Sequence, residues 1–447
     1  MTSVPIRAKA APLISAATTT IGDRTVLLAA VDPTVEEPHL TIADGASLAA
    51  AVATARAKRI PFVGVLRTTG VPFDEGIGGS DAWARAAREL VLASGVVPTM
   101  LIAAGPVVSG PALLLGLADI AVFTTDAYAY VTGPKSVEAY TGVPISGEDL
   151  GGSGAHLRST GLAAAVVDSV EEAMATVGDL LAYLPDHVDE LPAPIPTDDP
   201  PDRATPEAGD VLPTTAAGSY DVRDIIRTVC DDEEFLELRA AWAPNLVTGF
   251  ATLGGLPVGV VANQTQALAG SIDIPAAQKG ARFVSMCDAY GLPIITLVDT
   301  SGFLPGKDLE WRGMIRHGAQ LAFAYARATV PRVGLILRKS YGGAYIVMDS
   351  KNMGNDLMLA WPSAEVAVMG AKGAVGILHR SASPEDQAQL VDEYEARYLT
   401  PYPAAERSSI NAVVQPTDTR RELVAALQLL RSKRERLRAR RHDNGPL

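Results

Sequence analysis

Tyr341-Gly342-Gly343-Ala344-Tyr345 is the segment whose residue types point most directly to chemistry. It follows an apolar run and opens a stretch with helical spacing. The consecutive backbone N–H groups of Gly342, Gly343 and Ala344 therefore lie at a helix N-terminus with no bulky side chain before them, which makes an anion cradle. Aimed at a carbonyl oxygen, such donors stabilise an enolate or a tetrahedral oxyanion. The same glycines also suit a tight turn and close helix–sheet packing. A second small-residue loop, Val108-Ser109-Gly110-Pro111-Ala112, offers the N–H groups of Ser109 and Gly110, while Pro111 has none to give.

Conventional catalytic machinery is missing. The six histidines (His39, His156, His187, His317, His379 and His442) form neither HExxH nor another paired spacing, so no metal site is expected. GxSxG, a Walker A loop and GxGxxG after a first strand are also absent. Ser271, in Leu268-Ala269-Gly270-Ser271, reads either as a nucleophile or, with Gly270, as a small residue lining a substrate pocket. Oxyanion loops without an acid–base pair suit a reaction whose cosubstrate carries the base.

The elements that position these loops occur twice. Ile60-Pro61-Phe62-Val63-Gly64-Val65, leading to Thr68-Thr69-Gly70-Val71-Pro72, matches Leu292-Pro293-Ile294-Ile295-Thr296-Leu297, leading to Asp299-Thr300-Ser301-Gly302. Each is a proline-initiated apolar run that reads as a strand ending in a small-residue turn. Amphipathic helices are predicted next, from Asp81 to Ala93 and from Trp311 to Ala328. Second strands follow at Val97-Pro98-Thr99-Met100-Leu101-Ile102 and Val330-Pro331-Arg332-Val333-Gly334-Leu335. The offset is 232 residues from Pro61 to Pro293 and 233 from Pro98 to Pro331. Each half then closes on Ala164-Ala165-Val166-Val167-Asp168 or Asn411-Ala412-Val413-Val414-Gln415. The expectation is an α/β fold of two β-β-α superhelical domains. They are predicted at residues 1–184 and 216–447, joined by a Pro-, Asp- and Thr-rich linker over 185–215.

A chain of 447 residues fits two cores better than one. Its composition, 48% hydrophobic and 20% charged, excludes a disordered chain. Cys230 and Cys287, without CxxC spacing, suggest no disulfide framework, and the N-terminus does not read as a signal peptide, so a cytoplasmic location is expected. Glycines, prolines and an Asp interrupt the longest apolar stretch, Leu101 to Phe123, and no membrane span is predicted. A net charge of −13 argues against nucleic acid. The basic run RSKRERLRARRH near the C-terminus reads as a solvated helix.

Six ordered motifs carry a family resemblance: Val261-Ala262-Asn263-Gln264, Ala269-Gly270-Ser271-Ile272-Asp273, Lys279-Gly280-Ala281-Arg282-Phe283, Asp299-Thr300-Ser301-Gly302-Phe303-Leu304-Pro305-Gly306, Arg338-Lys339-Ser340-Tyr341-Gly342-Gly343-Ala344-Tyr345, and Ala360-Trp361-Pro362 followed by Ala367-Val368-Met369-Gly370-Ala371. Together they resemble the carboxyltransferase beta subunits of biotin-dependent acetyl-CoA and propionyl-CoA carboxylases. The resemblance implies two tandem crotonase-like domains, a hexamer of homomeric or heteromeric beta subunits, and a partner subunit with biotin carboxylase and biotin carboxyl carrier functions. It further implies that carboxybiotin on that carrier meets the Gly342, Gly343, Ala344 and Tyr345 loop. The N–H groups of Gly343 and Ala344 then hold the ureido oxygen, and those of Ser109 and Gly110 polarise the thioester of the CoA substrate. By the same resemblance Ile346 stands at a position tied to acyl-chain selection, although helix core is an equally available reading of it.

The first half departs from the family pattern. Thr68-Thr69-Gly70-Val71-Pro72 replaces Ser-Gly-Gly-Ala-Arg, Val108-Ser109-Gly110-Pro111 replaces Ala-Gly-Gly-Ala, and Val35-Glu36-Glu37-Pro38 replaces a Gly-Gly turn. Three functions stay open on the sequence: a carboxyltransferase producing malonyl-CoA or methylmalonyl-CoA, a non-catalytic or half-active subunit of a hetero-oligomeric carboxylase, and a biotin-independent acyl-CoA decarboxylase.

Overall fold

Pro61 and Pro293 each stand one residue ahead of a strand, where a residue without an N–H costs the ladder nothing. The computed structural model describes residues 12–215, 218–433, 435–439, 442 and 444–446. Contacts divide the chain between Leu191 and Pro192 into two units.

The first unit holds a seven-stranded sheet: β1 (Ile14–Ile21), β2 (Arg24–Val31), β3 (Phe62–Thr68), β4 (Thr99–Val108), β5 (Ile120–Thr124), β6 (Tyr128–Tyr130) and β7 (Ala165–Val167). Its order is β1-β2-β3-β4-β5-β7, with β6 beside the end of β4. Only β1 and β2 run antiparallel. The second unit holds β8 (Phe235–Glu237), β9 (Leu246–Leu253), β10 (Leu256–Asn263), β11 (Ile294–Thr300), β12 (Arg332–Tyr341), β13 (Leu357–Ala360), β14 (Glu365–Ala367) and β15 (Ala412–Val413). Its order, β15-β13-β12-β11-β10-β9-β8 with β14 beside β12, repeats the first and adds β8 at the edge.

The duplication extends to single bonds. Phe62 N–H donates to Pro98 O and Ile294 N–H to Pro331 O, while Leu27 N–H donates to Pro61 O and Gly259 N–H to Pro293 O, all at 2.9 Å. Both sheets also slip register at one place, between Leu66 and Thr68 against β4 and between Val298 and Thr300 against β12. Apolar residues from the strands and covering helices build a separate core in each unit, with Phe62, Leu101 and Phe123 in the first and Val247, Leu335 and Trp361 in the second.

Helix boundaries differ from the sequence reading. The helix predicted from Asp81 to Ala93 starts earlier, at Ile77, because Gly76 at φ 56° turns the chain into it. The helix predicted from Trp311 to Ala328 forms over Met314–Arg327, and Gly313 at φ 95° separates it from a short helix, Lys307–Trp311, that the prediction touched only at Trp311. The Pro-rich segment after Pro192 is bonded along the second unit: Ile195 N–H donates to Gly255 O and Thr205 N–H to Thr417 O, both at 2.8 Å. The fully buried Arg420 reaches Pro200 O at 2.9 Å and the Asp231 carboxylate at 2.6 Å.

The expected basic helix does not form among the described residues. The last helix ends at Leu430, and residues 435–439 carry no helix. Like charges recur there at helical spacing and repel, and Lys433 is pinned instead to Asp356 at 2.9 Å. No helix of the described residues is long and apolar enough to cross a membrane. Leu101 to Phe123 comprises most of β4, a turn, a five-residue helix and most of β5.

Candidate active site

β12 ends at Tyr341, and Gly342 turns the chain at φ 57° into the short helix Gly342–Val347. A side chain at 342 is strained at that φ and would bring Cβ within 3.0 Å of Val368 O. At Gly343 a Cβ would meet the Phe303 ring at 3.2 Å. Glycine thus serves twice for different reasons, backbone conformation at 342 and the close approach of an aromatic ring at 343. Ala344 is buried, Gly343 is exposed, and no side chain caps the first turn. The N–H groups of Gly343 and Ala344 lie in that uncapped turn, where an α-helix provides no internal acceptors.

Two cavities flank this helix, and Gly343 and Ile346 line both. The smaller, about 360 Å³, is walled by Phe303, Met314, Ile315, Gly318, Ala322 and Val347, with Glu310 its one ionisable lining residue. The larger, about 650 Å³, adds Gly342, Tyr345, Val368, Tyr394, Tyr398 and Arg407. The Tyr345 hydroxyl is buried and has no hydrogen-bond partner among the described residues. Ile346 is 47% exposed, so the helix-core reading of it is corrected: its side chain faces the cavities.

Behind the turn lies a buried polar assembly. Asp299 accepts from the Tyr220 hydroxyl at 2.9 Å, from Arg338 Nε at 3.0 Å and from Lys339 N–H at 3.1 Å. Burial, and then the Asp299 carboxylate, push the Tyr220 hydroxyl well above the usual tyrosine range, so it stays a donor. Tyr341 bonds to the Glu365 carboxylate, and burial together with that bond raises its pKa as well. Phe303, Tyr220, Asp299 and Arg338 were not singled out as site residues by sequence reasoning. The available signal was Asp299 itself, an acid ending an apolar strand one residue before a small-residue turn.

Gly270 and Ser271 do not line either cavity. Gly270, at φ 69°, packs so tightly on Asp299 that a Cβ would lie 2.4 Å from its carbonyl oxygen. Ser271 is nearly buried and lends its carbonyl to Asn245 at 2.8 Å. Its neighbour Ile272 bonds to Gly302 O through its N–H at 3.0 Å and accepts from Leu304 N–H at 2.9 Å, which fixes Phe303 between them.

The first unit builds the counterpart turn differently. Ser109 takes φ 67° and ψ −152°, a region that favours glycine, and Gly110–Ala112 forms a single 3-10 turn. Its N–H donates to Tyr130 O on β6 at 2.8 Å. The expectation that Ser109 offers a donor to a ligand is therefore corrected: pairing with β6 consumes it. Gly110 keeps an N–H at the head of the turn, uncapped by any side chain, and a Cβ there would strike Trp83 Nε1 at 2.6 Å. An aromatic ring thus backs a glycine in each unit, Trp83 on Gly110 and Phe303 on Gly343. Among the described residues no group of three or more His, Cys, Asp or Glu side chains is placed to hold a metal ion.

Comparison with known proteins adds to this geometry. The family model described as carboxyl transferase domain matches residues 7–445. The propionyl-CoA carboxylase beta chain of Roseobacter denitrificans is 41% identical over 390 residues, 87% of this chain and 76% of that protein. The methylmalonyl-CoA carboxyltransferase 12S subunit of Propionibacterium freudenreichii is 38% identical over 393 residues, 86% of this chain and 75% of that one. A crystal structure of transcarboxylase 12S, described as a hexamer assembly with hydrolysed methylmalonyl-CoA bound, aligns with TM-score 0.95 at 35% identity, covering 97% of this chain and 85% of that one.

Proposed function

The chain belongs to the carboxyl transferase domain family and is a carboxyltransferase subunit of a biotin-dependent acyl-CoA carboxylase; on that premise we propose that it carboxylates the α-carbon of propionyl-CoA or acetyl-CoA, giving methylmalonyl-CoA or malonyl-CoA. The observation that carries this reading is the exposed Gly343 between two cavities, backed by Phe303 and preceded by a glycine at φ 57°.

The turn fits a ureido oxygen, since Gly343 presents no side chain and any Cβ would be turned against the Phe303 ring. Gly343 and Ala344 are assigned as its donors, with Gly342 and Tyr345 beside them. Carboxybiotin, when bound, supplies the CO2 and a base for the α-proton. The N–H groups of Gly343 and Ala344 stabilise the negative charge that develops on the ureido oxygen. Phe303, Met314, Ile315 and Ile346 give the smaller cavity an apolar wall beside those donors, with few polar groups to compete for them. Gly110 N–H is assigned to the thioester oxygen, where one donor lowers the cost of the enolate.

The relatives act on propionyl-CoA or methylmalonyl-CoA by their names, which supports a short acyl chain here, and the apolar Ile346 agrees with it. The proposed partners are a biotin carboxylase and biotin carboxyl carrier subunit, with a hexamer of beta subunits as the assembly. The buried free thiols of Cys230 and Cys287 suit the cytoplasm.

A second reading rests on the first-unit turn. With Ser109 N–H engaged and Pro111 lacking one, that turn supplies Gly110 alone, which suits a subunit lending its biotin side to a sister subunit with a complete CoA turn.

The reverse half-reaction decides between them. Purified protein with a biotinylated carrier is assayed for carboxybiotin formed from malonyl-CoA or methylmalonyl-CoA. Turnover by the chain alone supports the first reading. Turnover only after adding a second beta subunit supports the second, and acyl-CoA decarboxylation without biotin overturns both.

A further inference from the structure

We propose that Asp299 is a positioning residue: it aims the Gly343 N–H, its buried carboxylate holding β12 and its main-chain N–H linking through Asn263 to the loop that carries Phe303. The inference rests on the carboxyltransferase reading of the Gly342–Ala344 turn and assigns a role to a residue that lines neither cavity.

β11 and β12 are parallel neighbours whose register slips between Val298 and Thr300. A slip of this kind leaves ladder groups without their regular partners, and Asp299 sits at it. Its carboxylate takes Lys339 N–H at 3.1 Å, three residues before Gly342. Arg338 Nε and the Tyr220 hydroxyl hold the other oxygen at 3.0 and 2.9 Å. All three of Tyr220, Asp299 and Arg338 are buried, so the carboxylate has little water to turn toward. Arg338 is held in turn, with Nη1 on Gly218 O at 2.9 Å.

The main chain of Asp299 extends the brace. Its N–H donates to Asn263 Oδ1 at 3.2 Å, and Asn263 Nδ2 donates to Gly270 O at 3.2 Å. The Gly270 loop carries Ile272, whose two bonds fix Phe303 against Gly343. One residue therefore sets both the direction of the turn and the ring behind it.

The first unit is an internal control. By the offsets of the two slips, Arg67 stands where Asp299 does, Gly105 where Arg338 does and Pro106 where Lys339 does. Pro106 has no N–H to be held, and Arg67 turns away to Glu36 O at 2.9 Å. Both partners of the bond are missing together. The unit without the brace is also the one whose turn has lost a donor to β6.

The test uses the full chain with its biotinylated carrier. Asp299→Asn and Tyr220→Phe are compared with wild type by kcat and carrier KM in the reverse half-reaction, and by hydrogen–deuterium exchange over residues 338–345. Positioning predicts that kcat falls about 10-fold or more in Asp299→Asn while carrier KM stays within about 3-fold, that amides 339–344 exchange faster, and that Tyr220→Phe moves both readings less in the same direction. Folded Asp299→Asn with kcat within about 2-fold of wild type overturns the proposal. So does a fall in kcat with unchanged exchange, which would mean that Asp299 acts on the reactants directly. If Asp299→Asn does not fold, Tyr220→Phe is judged by the same two readings. If wild type shows no half-reaction, alone or with a second beta subunit, the carboxyltransferase reading fails on its own, and exchange alone decides whether Asp299 orders the turn.

Discussion

Ser109 and Gly342 occupy equivalent places, each one residue beyond its strand, β4 or β12, and both take a positive φ, 67° and 57°. A serine held there carries strain of about 1–3 kcal/mol that a glycine does not. Ser109→Gly is expected to raise the unfolding free energy by about 1 kcal/mol, read as a higher denaturant midpoint. Gly342→Ala is expected to lower it by at least as much, because its Cβ also approaches Val368 O at 3.0 Å. Equal midpoints for Ser109→Gly and wild type would contradict the strain.

Gly343 separates two effects that one substitution would confuse. Gly343→Pro removes the donor at a first-turn position where proline is tolerated, and is expected to cut kcat of the half-reaction about 100-fold or more. Gly343→Ala keeps the N–H but sets a methyl 3.2 Å from the Phe303 ring. Its loss should be smaller and relieved in a Gly343→Ala, Phe303→Leu double variant, while Gly343→Pro should not recover with Phe303→Leu. Retention of full activity by Gly343→Pro would remove that N–H from the mechanism.

The cavity of about 360 Å³ depends on small side chains at Gly318 and Ala322 opposite Ile346. If it receives the acyl group, Ala322→Phe should lower kcat/KM for propionyl-CoA about 10-fold more than for acetyl-CoA, the scale of one methylene in an apolar pocket. A substitution that lowers both equally would place the acyl chain elsewhere.

Lys279 Nζ is buried and donates to the carbonyls of Arg239, Trp242 and Ala243 at 3.0, 2.9 and 3.4 Å. Burial pushes its pKa down from 10.5 to about 7. The unfolded chain thus binds more protons across that window, and this residue makes stability rise with pH between about 7 and 10.5. Lys279→Met should lose that component and take a donor from three carbonyls, of which those of Arg239 and Ala243 still accept from Trp242 N–H and Leu246 N–H, so the difference in melting temperature from wild type should widen as pH rises from 7 to 10. A constant difference would refute the titration.

Some features were legible because they are local. Pro61, Pro293, Pro98 and Pro331 each open an apolar run, and the short-range rules that make those runs strands need no knowledge of the rest of the chain. The Gly342-Gly343-Ala344 turn was legible for the same reason. The break at Gly313 was local too, yet the helical spacing on either side of it concealed a glycine that takes φ 95°.

The sequence by itself determined the duplication, the α/β character and the second-unit loop, because each follows from spacing within a few residues. Pro111 shows in the sequence as a missing donor, but only the tertiary structure decided that the Ser109 N–H is taken as well. Ser109 N–H is spent on Tyr130, twenty-one residues on, only because β6 lies beside β4. Asp299 meets Tyr220 across 79 residues and Lys339 across 40. A backbone N–H has the same chemistry wherever it occurs in a sequence, and whether it is free for a ligand depends on the acceptors that folding brings to it.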